Sequence, residues 1–183
     1  HAWGAWGRGF KSRHPDQQCE QVVNPQRNQK TNMKAGKQIV SLSLIAFVLH
    51  IIWENLQAPL FQGYESFVQH FSACFIGTIG DVIFTLFVCI MIALVKENFN
   101  WINTLNKKDL VVLIAVAFFF SIGIEQRALL FGRWDYADTM PIIPYLKVGL
   151  TPVLQMILLL PFSIYLTKLA TTKVTHQKAR SPE

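Results

Sequence analysis

Residues 71–95 read FSACFIGTIGDVIFTLFVCIMIALV, and Asp81 is the only charged residue among them. A helix needs about 20 consecutive, mostly apolar residues to cross a hydrocarbon layer about 30 Å thick. Residues 71–95 meet this requirement with a single interruption. The segment therefore predicts a transmembrane helix.

Three further segments, residues 39–53, 110–124 and 148–167, contain no Asp, Glu, Lys or Arg. Hydrophobic residues make up 51% of the chain and charged residues only 15%, whereas a soluble domain carries about 25% charged residues. The alternation expected of a membrane barrel is absent, so only helices can satisfy the backbone in lipid. We therefore expect an all-α, polytopic membrane protein with four transmembrane helices in a bundle, and not a soluble enzyme. The predicted spans cover about 37–58, 70–95, 109–131 and 146–169, and Pro59 ends the first.

Basic residues are divided unequally between the two sides of this predicted bundle. The formal net charge is +6 and the sequence pI is about 9.4. Of the 17 basic residues, all but Arg127, Arg133 and Lys147 fall on the side that holds the two termini. Lysine and arginine are enriched on the cytoplasmic side of membrane proteins. We therefore predict cytoplasmic N- and C-termini, and we expect no nucleic-acid partner.

The two ends of the chain differ in composition from its middle. Residues 1–32 are rich in Gln, Asn, Arg and Gly and contain no apolar run, which predicts a disordered or non-native tail. Met33 stands just before the first span and looks like a natural start. Residues 33–170 form the predicted transmembrane domain, and residues 171–183 a cytoplasmic basic tail. The loop at 132–145 is either a surface segment or a re-entrant cap.

Three acids and one amide fall inside the predicted spans. At 1.5 Å per residue, Glu54 and Glu125 lie about 24 Å from the inner boundary, and Asp81 lies about 16 Å below the outer one. Gln155 lies roughly 10–14 Å below the outer boundary. Ionisable residues at such depths are costly, by roughly 2.5–3.5 kcal/mol at the centre of a span. We expect the four side chains to share an acidic pocket near the outer leaflet.

Helical spacing places polar residues in one stripe on each predicted span. Residues three or four apart share a helix face, and each stripe should turn away from lipid. The stripes comprise His50, Glu54 and Gln57; Cys74, Thr78, Asp81 and Thr85; Ser121 and Glu125; and Thr151 and Gln155. Gly77 and Gly80 flank Asp81 and predict a close approach of another helix.

Each of these residues also has a purely structural interpretation. Glu54 could reach headgroup water, Glu125 could form an ion pair with Arg127 or Arg133, and Asp81 could make one interhelical hydrogen bond. His50 could be a packing residue. The Arg133–Tyr136 segment could be an interface anchor.

Carboxylic acids in an apolar site tend to hold a proton, and neighbouring carboxylates can share one. The sequence therefore predicts an acid–base set of Glu54, Asp81 and Glu125 acting on an apolar substrate that enters from lipid. The expected substrate-binding residues are His50, Asn55, Trp134, Tyr136 and Gln155. A proton- or cation-coupled carrier, acting as a homo-oligomer, and a non-enzymatic structural subunit are the alternatives. A metal on His50 and Glu54 has suitable spacing but no recognised motif, so we expect no metal ion and no cofactor.

Four segments carry a resemblance to known proteins, and together they lie within about two thirds of the chain. They are HIIWENLQAPLF (50–61), GTIGD (77–81), IEQRALLFGRWDY (124–136) and MPIIPYLKVGLTPVLQM (140–156). They resemble segments of small four-helix bacterial integral membrane proteins of unknown role. The resemblance implies a multi-pass protein of the bacterial inner membrane, with membrane lipids as its surroundings.

Two other families are similar in outline. Trp134-x-Tyr136 leading to the Pro152 helix resembles lycopene-cyclase-type membrane proteins, although Gln155 stands where that family has the acid of its Pro-x-Glu-Glu motif. His50 and Glu54 resemble the His-x3-Glu of sterol-isomerase-like proteins. Both families protonate isoprenoid hydrocarbons. The resemblance therefore implies isomerisation or cyclisation of a lipid or isoprenoid substrate.

Overall fold

The computed structural model describes residues 25–178, with side chains described for 35–171. It is mostly helical, at 77%. The four helices are α1 (Pro25–Gln57), α2 (Phe67–Val95), α3 (Lys107–Leu130) and α4 (Leu150–Lys178). All four are long and apolar enough to cross a membrane, and their apolar segments are Ala35–Leu60, Phe67–Val95, Lys107–Leu130 and Leu150–Thr171. The prediction of four long apolar helices is confirmed.

Helices α1 and α4, the first and the last in the chain, extend beyond the predicted spans toward the two termini. Helix α1 begins at Pro25, so residues 25–32 are helical although the sequence assigned them to the tail; proline is well tolerated in a first turn. Residues 1–24 lie outside the described part. Helix α4 begins at Leu150, later than the predicted 146, and continues to Lys178, so the basic tail is helical over 171–178.

Local side-chain contacts explain where the inner helices begin and end. The Ser66 hydroxyl accepts from the Gln69 N–H at 3.4 Å at the start of α2. Asn106 and Asp109 form a reciprocal capping box at the start of α3, the arrangement that satisfies the first free N–H groups of a helix. Helix α3 ends in a Schellman motif, in which Gly132 has φ 60° and the Arg133 N–H reaches the Ala128 carbonyl at 2.9 Å.

Helix packing separates an apolar half of the bundle from a polar one. Helix α1 packs against α2 and α4, and α3 packs against α4. Helices α2 and α3 contact each other through Phe84 and Phe120, whose ring centroids are 5.3 Å apart. Near the turn between α2 and α3, the apolar half buries residues of every helix, among them Leu42, Val88, Leu113, Leu160 and Ile164. The polar half lies nearer the C-terminal end of α1.

The turn between α2 and α3 contacts side chains or backbone of both helices. Trp101, a residue suited to the interface by type, is fully buried, and its indole N–H donates to the Cys89 carbonyl at 3.1 Å. Lys96 forms a 2.6 Å ion pair with Asp109. The Lys96 ammonium also lies 5.6 Å from the Trp101 ring centroid. These contacts fix the position of the turn at the end of the apolar half.

The segment between α3 and α4 folds into a small hairpin that the all-α prediction missed. Strands β1 (Ile142–Ile143) and β2 (Val148–Gly149) pair antiparallel. Met140 is 5% exposed. Tyr136, which precedes the hairpin in the chain, forms an antiparallel β-bridge with Phe61 of the α1–α2 loop. The segment is therefore joined to the α1–α2 loop at the polar half of the bundle.

Candidate functional site

Three helices contribute side chains to a cluster centred on Gln155, which is 2% exposed. Its Nε2 atom lies 2.7 Å from Asp81 Oδ2, 3.0 Å from Glu54 Oε1 and 3.0 Å from His50 Nδ1. Its Oε1 atom accepts from Gln57 Nε2 at 2.8 Å. Side chains of α1, α2 and α4 thus meet at one amide. We call His50, Glu54, Gln57, Asp81 and Gln155 the Gln155 cluster.

The helical stripes explain why these residues meet. His50, Glu54 and Gln57 lie on one face of α1, as their spacing predicts. On α2, Cys74, Thr78 and Thr85 are buried, and Asp81 keeps 23% of its side chain exposed.

Gly77 and Gly80 differ in their surroundings. A Cβ atom on Gly77 would lie 3.4 Å from the Glu54 carboxyl, whereas one on Gly80 would meet no atom within 4 Å. The predicted close approach therefore exists at Gly77, and at Gly80 it does not.

His50 is the most buried member of the cluster, with 0% exposure. Its Nδ1 atom lies 3.2 Å from Asp81 Oδ2. Its Nε2 atom is buried and has no hydrogen-bond partner. One ring nitrogen therefore faces a carboxylate while the other is unpartnered.

Glu125 belongs to a second group of side chains. It is 5% exposed, and its Oε2 atom accepts from Trp134 Nε1 at 3.3 Å and from the Tyr136 hydroxyl at short distance. Burial, followed by this hydrogen bond to Glu125, raises the pKa of Tyr136 well above its ordinary value. The phenol therefore keeps its proton and stays a donor to the carboxylate. We call Glu125, Trp134 and Tyr136 the Glu125 group.

The hydrogen bonds of the predicted pocket therefore form two separate networks. Within residues 35–171, Glu125 forms hydrogen bonds with Trp134 and Tyr136, and no hydrogen bond joins it to the Gln155 cluster. The predicted alternative, an ion pair between Glu125 and arginine, is not formed within the described residues. Arg127 lies instead over the Phe131 ring, 5.5 Å from its centroid.

Two further α1 side chains form hydrogen bonds within their own helix. Asn55 was expected to bind substrate, but its Nδ2 donates to the Ile51 carbonyl at 2.7 Å, which directs its amide along its own helix. Trp53 was not among the predicted site residues, yet its indole N–H donates to Gln57 Oε1 at 3.2 Å. The i,i+4 spacing of Trp53 and Gln57 was the available signal for this contact.

The described residues contain no group of three or more His, Cys, Asp and Glu side chains that could hold a metal ion. The site's chemistry is that of carboxyl groups, amides, an imidazole and a phenol. No protein-family model matches the chain, and neither a curated protein nor a solved structure matches it.

Proposed function

We propose that this chain is a multi-pass protein of the cell membrane, the inner membrane of a bacterium, with both termini in the cytoplasm. Large apolar side chains are exposed along the middle of the helices, for example Leu44 at 63%, Ile83 at 61% and Phe119 at 71%. Soluble monomers rarely expose large continuous apolar surfaces. The unequal distribution of basic residues supports the orientation.

Within this membrane protein we propose an enzyme that carries out acid–base chemistry, isomerisation or cyclisation, on a lipid or isoprenoid substrate. One observation carries the proposal. Glu54 and Asp81 both contact the same Gln155 nitrogen, and within residues 35–171 neither is paired with a lysine or arginine. Two carboxyl groups in such a site can share one proton, which makes one an acid and the other a base.

The proposed isomerisation requires only one proton at a time. The protonated carboxyl donates its proton to one carbon of a substrate double bond, which leaves a carbocation. The neighbouring carboxylate removes a proton from an adjacent carbon, and the double bond forms at its new position. The cluster then holds the same number of protons as before. In a cyclisation, ring closure onto the carbocation precedes the proton's removal.

In this proposal Gln155 positions the two acids. Glu125, in the Glu125 group, is the third member of the acid–base set. Helices α2 and α3 meet through phenyl rings at Phe84 and Phe120, and Asp81 is partly exposed one turn away. This side of the bundle is where an apolar substrate could reach Asp81 from lipid.

Deuterium incorporation tests the enzyme proposal. Cells or proteoliposomes carrying the full chain are incubated in D2O, and extracted lipids and isoprenoids are analysed by mass spectrometry. We expect new deuterium in an isoprenoid or lipid product, and a decrease of roughly 10²- to 10⁴-fold for Glu54→Gln and Asp81→Asn. Glu65→Gln, which makes the same change at an exposed position, is the matched control. Unchanged incorporation in both cluster variants would refute the proposal.

A structural role is the second candidate, because the Gln155 cluster joins α1, α2 and α4 by hydrogen bonds. If Glu54→Gln and Asp81→Asn lower the unfolding temperature and no product carries deuterium, this role is supported. A proton- or cation-coupled carrier would instead show proton flux into proteoliposomes. The buried apolar residues between the cluster and the 96–106 turn give that alternative less support.

A further inference from the structure

The proton positions within the Gln155 cluster follow from the Trp53 indole, which can only donate a hydrogen bond. An indole N–H has no acceptor function, so the Gln57 atom 3.2 Å from Trp53 Nε1 is the amide oxygen. The Gln57 NH2 group then faces Gln155 and requires its oxygen, at 2.8 Å. The Gln155 NH2 group must therefore face Glu54, Asp81 and His50. Amide orientations are assigned by such networks.

Counting protons then assigns the state of His50. The Gln155 NH2 group has two hydrogens but three neighbours within 3.0 Å. Both hydrogens are used by the carboxyl oxygens of Glu54 and Asp81. His50 Nδ1, 3.2 Å from Asp81 Oδ2, satisfies that contact by carrying a proton and donating it.

The opposite tautomer, protonated at Nε2, leaves more of these contacts unsatisfied. Its unprotonated Nδ1 would accept from Gln155 at 3.0 Å and so take a hydrogen from one of the two carboxyl contacts, and its ring would bury an N–H at Nε2, where no acceptor lies among the described residues. An unsatisfied buried donor costs about 1–3 kcal/mol. Protonation of both nitrogens would create the same unsatisfied N–H. Neutral His50 with its proton on Nδ1 therefore agrees best with the contacts.

We propose that His50 Nε2 is the recognition point for a hydroxyl group on the substrate. As an unprotonated and unpartnered nitrogen in a buried site, it is an acceptor that only an entering donor can satisfy. A hydroxyl attached to an apolar body supplies this donor. The substrate class is thus an isoprenoid or lipid alcohol, and not a pure hydrocarbon. This inference deepens the proposed function and rests on it.

Nitrogen NMR of the full chain, labelled with ¹⁵N-histidine and reconstituted in nanodiscs, tests the tautomer. The chain has five histidines, and His50→Gln identifies the His50 signals by their loss. We expect the signature of a neutral ring protonated at Nδ1. A ring protonated at Nε2, or at both nitrogens, overturns the proposal.

The same sample tests the ligand with two probes, a C15 isoprenoid alcohol and the hydrocarbon that lacks only its hydroxyl. We expect the alcohol alone to shift the Nε2 resonance. We also expect His50→Phe to weaken alcohol binding roughly 2- to 10-fold, the effect of one hydrogen bond, while hydrocarbon binding stays the same. A response to neither probe, or an equal response to both, overturns the proposal.

These measurements are independent of catalysis. If the alcohol binds at His50 but no deuterium enters any product, the enzyme proposal fails and the recognition site stands. If deuterium enters a hydrocarbon and the alcohol does not bind, the recognition site fails and the enzyme stands.

Discussion

Gln155 and Asp81, 74 positions apart in the chain, are joined by a hydrogen bond of 2.7 Å. This contact connects α4 to α2, and Glu54 and Gln57 of α1 meet the same glutamine. A single side chain thus links three helices. Its removal would leave several buried polar groups without a partner.

Gln155→Leu should lower the free energy of unfolding by about 1–3 kcal/mol for each buried group left unsatisfied. Unfolding of the reconstituted protein, followed by circular dichroism against denaturant, measures the change. Gln126→Leu is the matched control, because the Gln126 amide is exposed and makes only a 3.5 Å contact. Equal stability of the two variants would show that Gln155 does not hold the helices together.

Trp53→Phe should release the orientation of the two amides. Without the donor-only indole, the Gln57 amide can rotate, and Gln155 can then present its oxygen to the acids. We expect the ¹⁵N spectrum of His50 to change from the Nδ1-protonated signature to a mixture, with a stability loss of about 1 kcal/mol. Trp134→Phe, whose indole contacts Glu125 instead, should leave the His50 signals unchanged. A wild-type spectrum in Trp53→Phe would disprove this dependence.

Tyr136 should make stability depend on pH in the alkaline range only. Its folded-state pKa is raised above the ordinary 10.0 by burial and by Glu125. Below about pH 10 the phenol is protonated in both states, so its contribution is complete. Above about pH 10 the unfolded tyrosine loses its proton while the folded one retains it, and stability falls. Tm measured from about pH 9 to 11 should decline less in Tyr136→Phe than in wild type.

Tyr145 provides the control for this pH series, since its side chain is fully exposed. Tyr145→Phe should reproduce the wild-type decline. An identical decline in Tyr136→Phe and wild type would contradict the assigned role of Tyr136.

Asp109→Ala should destabilise the apolar half of the bundle, next to the turn between α2 and α3, without altering the Gln155 cluster. One carboxylate oxygen caps α3 through the Asn106 N–H at 3.1 Å, and the other pairs with Lys96 at 2.6 Å. Losing the cap and a partly exposed ion pair should cost about 1–2 kcal/mol. Asp138→Ala, at an exposed loop position, is the control. Any change in the His50 spectrum of Asp109→Ala would argue against separate halves.

Gly77→Leu and Gly80→Leu form a pair that tests the approach of α1 to α2. A Cβ atom at Gly77 would already be in van der Waals contact with the Glu54 carboxyl at 3.4 Å, so the larger leucine side chain should crowd it, whereas Gly80 faces open space. We expect Gly77→Leu to lose stability and deuterium incorporation, and Gly80→Leu to retain both. Equal tolerance at the two positions would show that Glu54 does not lie against α2.

Much of the helical framework could be predicted from the sequence. Four charge-poor segments of 15 to 25 residues predict four apolar helices, and the break after Gln57 follows from Pro59. The faces of α1 and α2 that carry polar residues follow from helical spacing alone, because i,i+4 neighbours share a face at any packing angle. His50, Glu54, Asp81 and Gln155 were identified in this way.

Which faces meet depended on tertiary packing. Spacing places Glu125 on a polar face as well, but the segment between α3 and α4 brings Trp134 and Tyr136 to that face, where both donate hydrogen bonds to Glu125. Asn55 is adjacent to Glu54 in sequence, yet successive helical residues point about 100° apart, so its amide turns to its own helix. Helical periodicity determines the direction in which a side chain leaves its own helix. Only the packing of distant segments decides which residues that side chain contacts.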